Sequence, residues 1–150
     1  VEAAAVLLKE DFGVTSDIWS ITSSNQLYRE AKDVVRWNML HPSKTQKTSY
    51  IETCLAGAKG PVIASTDYIK LYTEQLREFI PQRFVNLGTD GFGRSDTREA
   101  LRSFFEVDRY HVVVAALHAL AKDGDISASE VAKAITKYNI DPERTAPLYS

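Results

Sequence analysis

At 150 residues and 44% hydrophobic, with 18 basic residues nearly cancelled by 20 acidic ones, the chain has the apolar material for one core and a formal charge of only −2. A domain of this length buries roughly 68–70% of the surface its unfolded chain exposes, so a single domain is expected. The near-neutral balance and the lack of any Lys/Arg run argue against nucleic acid or an anionic membrane as partner. The longest apolar stretch, Val112–Leu117, is too short to span a bilayer, and Ala3–Leu8 lacks the basic flank and cleavage pattern of a signal peptide. The expected setting is therefore cytoplasmic. A lone Cys54 excludes an internal disulfide or a CxxC site, and reads as a small buried hydrophobe on a helix.

Val1–Phe12 carries an apolar stripe and ends at Gly13, which predicts a helix. Val14–Thr22, with Ile18, Trp19 and Ile21, reads as a strand. Ser23 and Gln26 have capping-box spacing and open a helix running toward Met39, closed by His41-Pro42. After a polar loop at Ser43–Ser49, Tyr50, Ile51, Cys54, Leu55 and Ala58 recur at helical spacing until Gly60-Pro61. Val62–Ser65 is a second strand. Asp67 is placed to cap a helix over Tyr68–Ile80, in which Ile69, Tyr72, Leu76 and Phe79 face a common core. Phe84–Leu87 is a third strand, followed by the loop Gly88–Ser95 and a helix over Thr97–Glu106 capped by Asp96 with Glu99. Tyr110–Lys122 predicts a buried helix, and Ser127 with Glu130 caps a last one ending near Asn139.

Strands alternating with helices predict an α/β fold: a three-layer, mostly parallel sheet with helices on both faces, because parallel neighbours need crossover connections. In such sheets ligands and partner domains gather at the carboxyl ends of the strands, here Thr22–Asn25, Thr66–Tyr68 and Thr89–Ser95. Thr66, Asp67, Thr89, Asp90, Arg94 and Ser95 are accordingly the candidate interdomain or ligand-facing residues, with Asp90 and Arg94 as charged anchors of the loop.

The loop fits a phosphate fingerprint poorly. Gly91 and Gly93 give G-x-G, but Asp96 stands where a third glycine belongs, and a carboxylate there repels a pyrophosphate. No Walker sequence or nucleophile elbow occurs, and His41, His111 and His118 lack metal-chelating spacing. His118 reads as a partly buried residue with one hydrogen bond, and Trp19, Trp37, Phe104, Phe105 and Tyr110 as core or interface packing. No catalytic, cofactor-binding or metal-binding residue is assigned.

Three segments together carry a resemblance: Arg36-Trp37-Asn38-Met39-Leu40-His41-Pro42, Ala64-Ser65-Thr66-Asp67-Tyr68-Ile69-Lys70-Leu71, and Leu87–Arg98 reading LGTDGFGRSDTR. With Phe105-Glu106-Val107-Asp108 and Val112–Leu117, they resemble the C-terminal domain of the homodimeric bacterial pyruvate dehydrogenase decarboxylating component, in the transketolase-like family. The resemblance implies a subunit that decarboxylates pyruvate on thiamine diphosphate with magnesium and acetylates the lipoyl group of the dihydrolipoyl acetyltransferase component. It also implies a homodimer, with cofactors held by the preceding domains of the subunit and none by this fragment, which alone is expected to be inactive. Because Val1–Phe12 is helical and the family places a strand just before it, the first strand of the domain is expected to be missing. A stand-alone nucleotide- or effector-binding α/β module is the alternative reading.

Overall fold

The computed structural model describes residues 1–150. Its elements run α1 (Glu2–Phe12), α2 (Ser24–Leu40), α3 (Tyr50–Leu55), β1 (Val62–Ser65), α4 (Leu71–Glu74), β2 (Phe84–Leu87), α5 (Arg98–Phe104), α6 (Arg109–Asp123) and α7 (Ala128–Lys137), with 3₁₀ turns at Arg77–Phe79 and Pro147–Tyr149. The fold is α/β. Its sheet is a parallel pair, β1 beside β2, with Val62 opposite Phe84 and Ser65 opposite Leu87.

Successive strand residues point to opposite faces, and the packing follows that alternation. Ile63 and Leu87 pack on a cluster built from Ala4 and Leu8 of α1, Val113 and Leu117 of α6, and Val131 and Ala134 of α7. Val62, Ala64 and Phe84 meet a second cluster of Ala31, Ile51, Leu55, Leu76, Phe79 and Ile80. The first is closed at its rim by Asp11, whose carboxylate accepts from the Tyr138 hydroxyl at 2.8 Å and pairs with Lys137 at 2.7 Å.

Local sequence chemistry accounts for the helix ends. Gly13 and Gly124 adopt left-handed conformations that close α1 and α6. Ser23 Oγ accepts from the Gln26 amide at the start of α2. The reciprocal box expected there forms instead at α3, where Ser49 Oγ accepts from Glu52 N and the Glu52 carboxylate accepts from Ser49 N at 2.9 Å. Asp108 caps α6 by accepting from the Tyr110 and His111 amides and the His111 ring at 2.8 Å. Burial works to raise the Asp108 pKa, but the His111 and Tyr110 hydrogen bonds outweigh it and hold the carboxyl below its ordinary value.

Several expectations are corrected. Val14–Thr22 is no strand, and apart from the Val14 amide bonding to Leu8 O its backbone has no hydrogen-bond partner. Ile18, Trp19 and Ile21 are exposed, so Trp19 is not core. The helix expected over Tyr68–Ile80 breaks into α4 and a 3₁₀ turn, where side chains compete for its backbone: Asn86 Nδ2 donates to Lys70 O at 2.7 Å, and Gln75 Nε2 to Tyr72 O at 2.7 Å. Leu76 and Phe79 are buried there, whereas Ile69 is exposed. Asp67 caps nothing, since its carboxylate pairs with Arg102 at 2.9 Å. The cap of α5 is Thr97, whose Oγ1 accepts from Ala100 N, while Asp96 accepts only from Thr97 N. Ser127 turns its hydroxyl to Ser129 instead of capping α7. His118 is exposed with no hydrogen bond, and Cys54 is half-buried.

Candidate functional site

Two strand-end loops and the chain's last turn meet at the carboxyl edge of the sheet. Thr89 N donates to Tyr68 O at 2.9 Å and Thr89 Oγ1 to Asp67 O at 3.0 Å, while Lys70 N donates to Asp90 Oδ1 at 2.9 Å. The Lys70 ammonium stands 4.0 Å from the Asp90 carboxylate. Thr66 Oγ1 accepts from Tyr68 N and fixes the first bend after β1. Close approach requires glycine here: a Cβ on Gly88 would sit 2.7 Å from Tyr68 O.

Gly91 joins this edge to the tail. Its φ of 110° lies in the region that L side chains rarely adopt, and a Cβ there would fall 2.6 Å from Pro147 O. A cleft of about 170 Å³ opens between the loops and the tail, lined by Lys70, Asp90, Phe105, Glu106 and residues 146–149. Around it Tyr68, Ile69, Leu71, Phe92, Leu148 and Tyr149 are all exposed.

Thr66, Asp67, Thr89 and Asp90 are thus brought together, with their polar atoms engaged within the domain. Arg94 lies apart from them, its guanidinium 4.2 Å from the centre of the Phe104 ring, and Arg144 approaches the same ring at 5.1 Å. Ser95 is exposed and makes no hydrogen bond. Sequence reasoning gave Phe104 a packing role and missed Lys70, Arg102 and Arg144, because each of these three acts on a partner about 20 to 40 residues away that no local motif announces.

The other arresting segment, Arg36–Pro42, closes α2. Trp37 and His41 stack at 4.3 Å, Lys47 sits 4.1 Å above the indole, and Asn38 exchanges two hydrogen bonds with the Lys47 backbone at 2.8 Å each. These contacts fix the loop after α2. No three His, Cys, Asp or Glu side chains gather as a metal-ligand set, and no helix is long and apolar enough to cross a membrane.

Residues 1–108 match the family described as the transketolase-like TK C-terminal domain. The chain belongs to that family. Among curated relatives of this transketolase-like C-terminal domain, the pyruvate dehydrogenase E1 component of Pseudomonas aeruginosa is 59% identical over 149 residues, 99% of this chain and 17% of its own length. The corresponding component of Cupriavidus necator is 57% identical over 148 residues, 99% of this chain and 16% of its own length. That of Escherichia coli is 51% identical over 148 residues, 98% of this chain and 16% of its own length. The transketolase-like C-terminal domain therefore spans 16–17% of these relatives' length.

Proposed function

We propose that this chain is the C-terminal structural and assembly domain of a pyruvate dehydrogenase first component. The full subunit decarboxylates pyruvate on thiamine diphosphate with magnesium and passes the acetyl group to the lipoyl group of a dihydrolipoyl acetyltransferase. The observation that carries the reading is identity of 51–59% along essentially the whole chain to components of that name. Test of fit argues against either cofactor being held here: no carboxylate and histidine set gathers for magnesium, and Asp90 and Asp96 flank the only glycine-rich turn. Both cofactors thus belong to preceding domains of the subunit, in a cytoplasmic homodimer, and the 150-residue chain alone is inactive.

The finer architecture follows from the same reading. Val14–Thr22 joins a larger, mostly parallel sheet in the complete subunit, giving three layers, and the carboxyl edge with Thr66, Asp67, Thr89, Asp90, Arg94 and Ser95 faces neighbouring domains. Calorimetry of the chain with thiamine diphosphate and magnesium, beside pyruvate-dependent carbon dioxide release by the complete subunit, tests the assignment. The expected result is no heat of binding for the chain and turnover for the subunit. Micromolar cofactor affinity in the chain, or a complete subunit that leaves pyruvate untouched, would overturn it.

A further inference from the structure

We infer that the tail, through its last turn Pro147–Tyr149, is a strap that sets the shape of the exposed half of the glycine-rich loop, Gly91–Ser95. The inference goes beyond the reading above and does not depend on it. The two halves of the loop are held differently. Gly88 is buried, Thr89 is bonded to Tyr68 O and Asp67 O, and Asp90 accepts from Lys70 N. From Gly91 to Ser95 every residue is exposed and none makes a hydrogen bond.

Ordering such a segment costs backbone entropy that it cannot offset with bonds of its own, so its shape must come from contacts with other parts of the fold. One contact is at Gly91, where the absence of a Cβ lets Pro147 O approach closely. The other is at Arg94, which lies on the Phe104 ring at 4.2 Å. The tail grips that ring too: Arg144 stands 5.1 Å from its centre and donates to Ser103 O and Phe104 O at the end of α5, where a basic side chain can serve the last carbonyls of a helix. Both contacts thus lead to the tail. The turn is built to hold its own shape, since Pro147 is buried with a ring-fixed φ, Tyr149 N donates to Ala146 O at 2.9 Å and Ser150 Oγ to Pro147 O at 3.3 Å. Leu148 and Tyr149 also line the cleft with Lys70, Asp90 and Glu106. Release of the turn therefore frees the loop and opens the carboxyl edge, where α/β sheets receive ligands, in one movement.

The test is amide nitrogen relaxation in the isotope-labelled chain, in a form ending at Thr145, and in Gly91→Ala. In the parent, Gly91–Ser95 should be as rigid as the strands, with order parameters near about 0.85. In the form ending at Thr145 they should fall below about 0.6, while Thr89 and Val62–Ser65 keep their values and so report an intact fold. Gly91→Ala should loosen Leu148 and Tyr149 together with Phe92–Ser95, with amide shifts at Lys70 and Glu106 where the cleft opens. Strain confined to the substituted residue would instead leave the tail rigid, and this variant carries the test if the shortened form does not fold. A loop already mobile in the parent, a loop that stays rigid without the tail, or a tail unmoved in Gly91→Ala would overturn the strap.

Discussion

Val62–Ser65 and Val14–Thr22 draw on similar β-favouring residues, yet only the first is a strand. Val62–Ser65 has β2 alongside in register, and helices cover alternate side chains on each face. Val14–Thr22 has neither, except that Val14 touches the α1–α6–α7 cluster; from Thr15 onward the backbone is unpaired and Ile18, Trp19 and Ile21 face outward. The difference teaches that β-branched and aromatic residues describe a surface suited to a sheet, while the strand itself is conferred by a neighbour that supplies hydrogen bonds and burial.

The sharpest way to break that comparison is to remove burial where partners exist. Leu117, 1% exposed in the cluster beneath Ile63 and Leu87, should cost about 2–5 kcal/mol on Leu117→Ala, read from chemical denaturation. A loss under about 1 kcal/mol would mean that this face of the pair is not what holds the domain together.

Next in size is the cap of α6, which packs against both strands. Asp108→Ala should destabilise by about 0.5–2 kcal/mol at neutral pH. Because the folded carboxyl lies below its ordinary value, this contribution is present above the unfolded pKa near about 3.9 and disappears as pH falls through the lower folded value. Parent and variant denaturation curves should therefore converge in acid. A gap that persists below both values would assign the effect to something other than the ionised cap.

A smaller pair of substitutions separates a cap read from spacing from one seen in the fold. Thr97→Ala should cost about 1 kcal/mol, and Asp96→Ala clearly less, since Asp96 meets only the amide of its immediate neighbour. Reversal of that order in the denaturation midpoints would restore Asp96 as the cap.

These contrasts mark what was legible in the sequence. Val62–Ser65 and Phe84–Leu87 were readable to the residue because short apolar runs are bounded by Gly60-Pro61, Pro81 and Gly88, and α6 because an apolar run of that length fits a buried helix. The break in Tyr68–Ile80 was not, since Asn86, which draws on the Lys70 carbonyl, lies beyond the segment itself. Four of the six candidate residues at the sheet edge do meet there, following the rule for strand ends in α/β sheets. The Phe104–Arg144 contact was hidden because it joins α5 to the tail across 40 positions.

The smallest effect belongs to the unpartnered segment: Ile18→Ala, half exposed, should change stability of the 150-residue chain by no more than about 0.5 kcal/mol. A larger loss would reveal a packing partner for Ile18 inside the chain.

Hydrogen exchange at the amides of Thr15–Thr22, measured in the 150-residue chain and in the complete subunit, tests the central claim most directly. The account predicts rapid exchange in the chain, where these amides are unpaired, and protection comparable to Val62–Ser65 in the subunit, where a neighbouring strand pairs them. Equal exchange of the segment in both forms would contradict it.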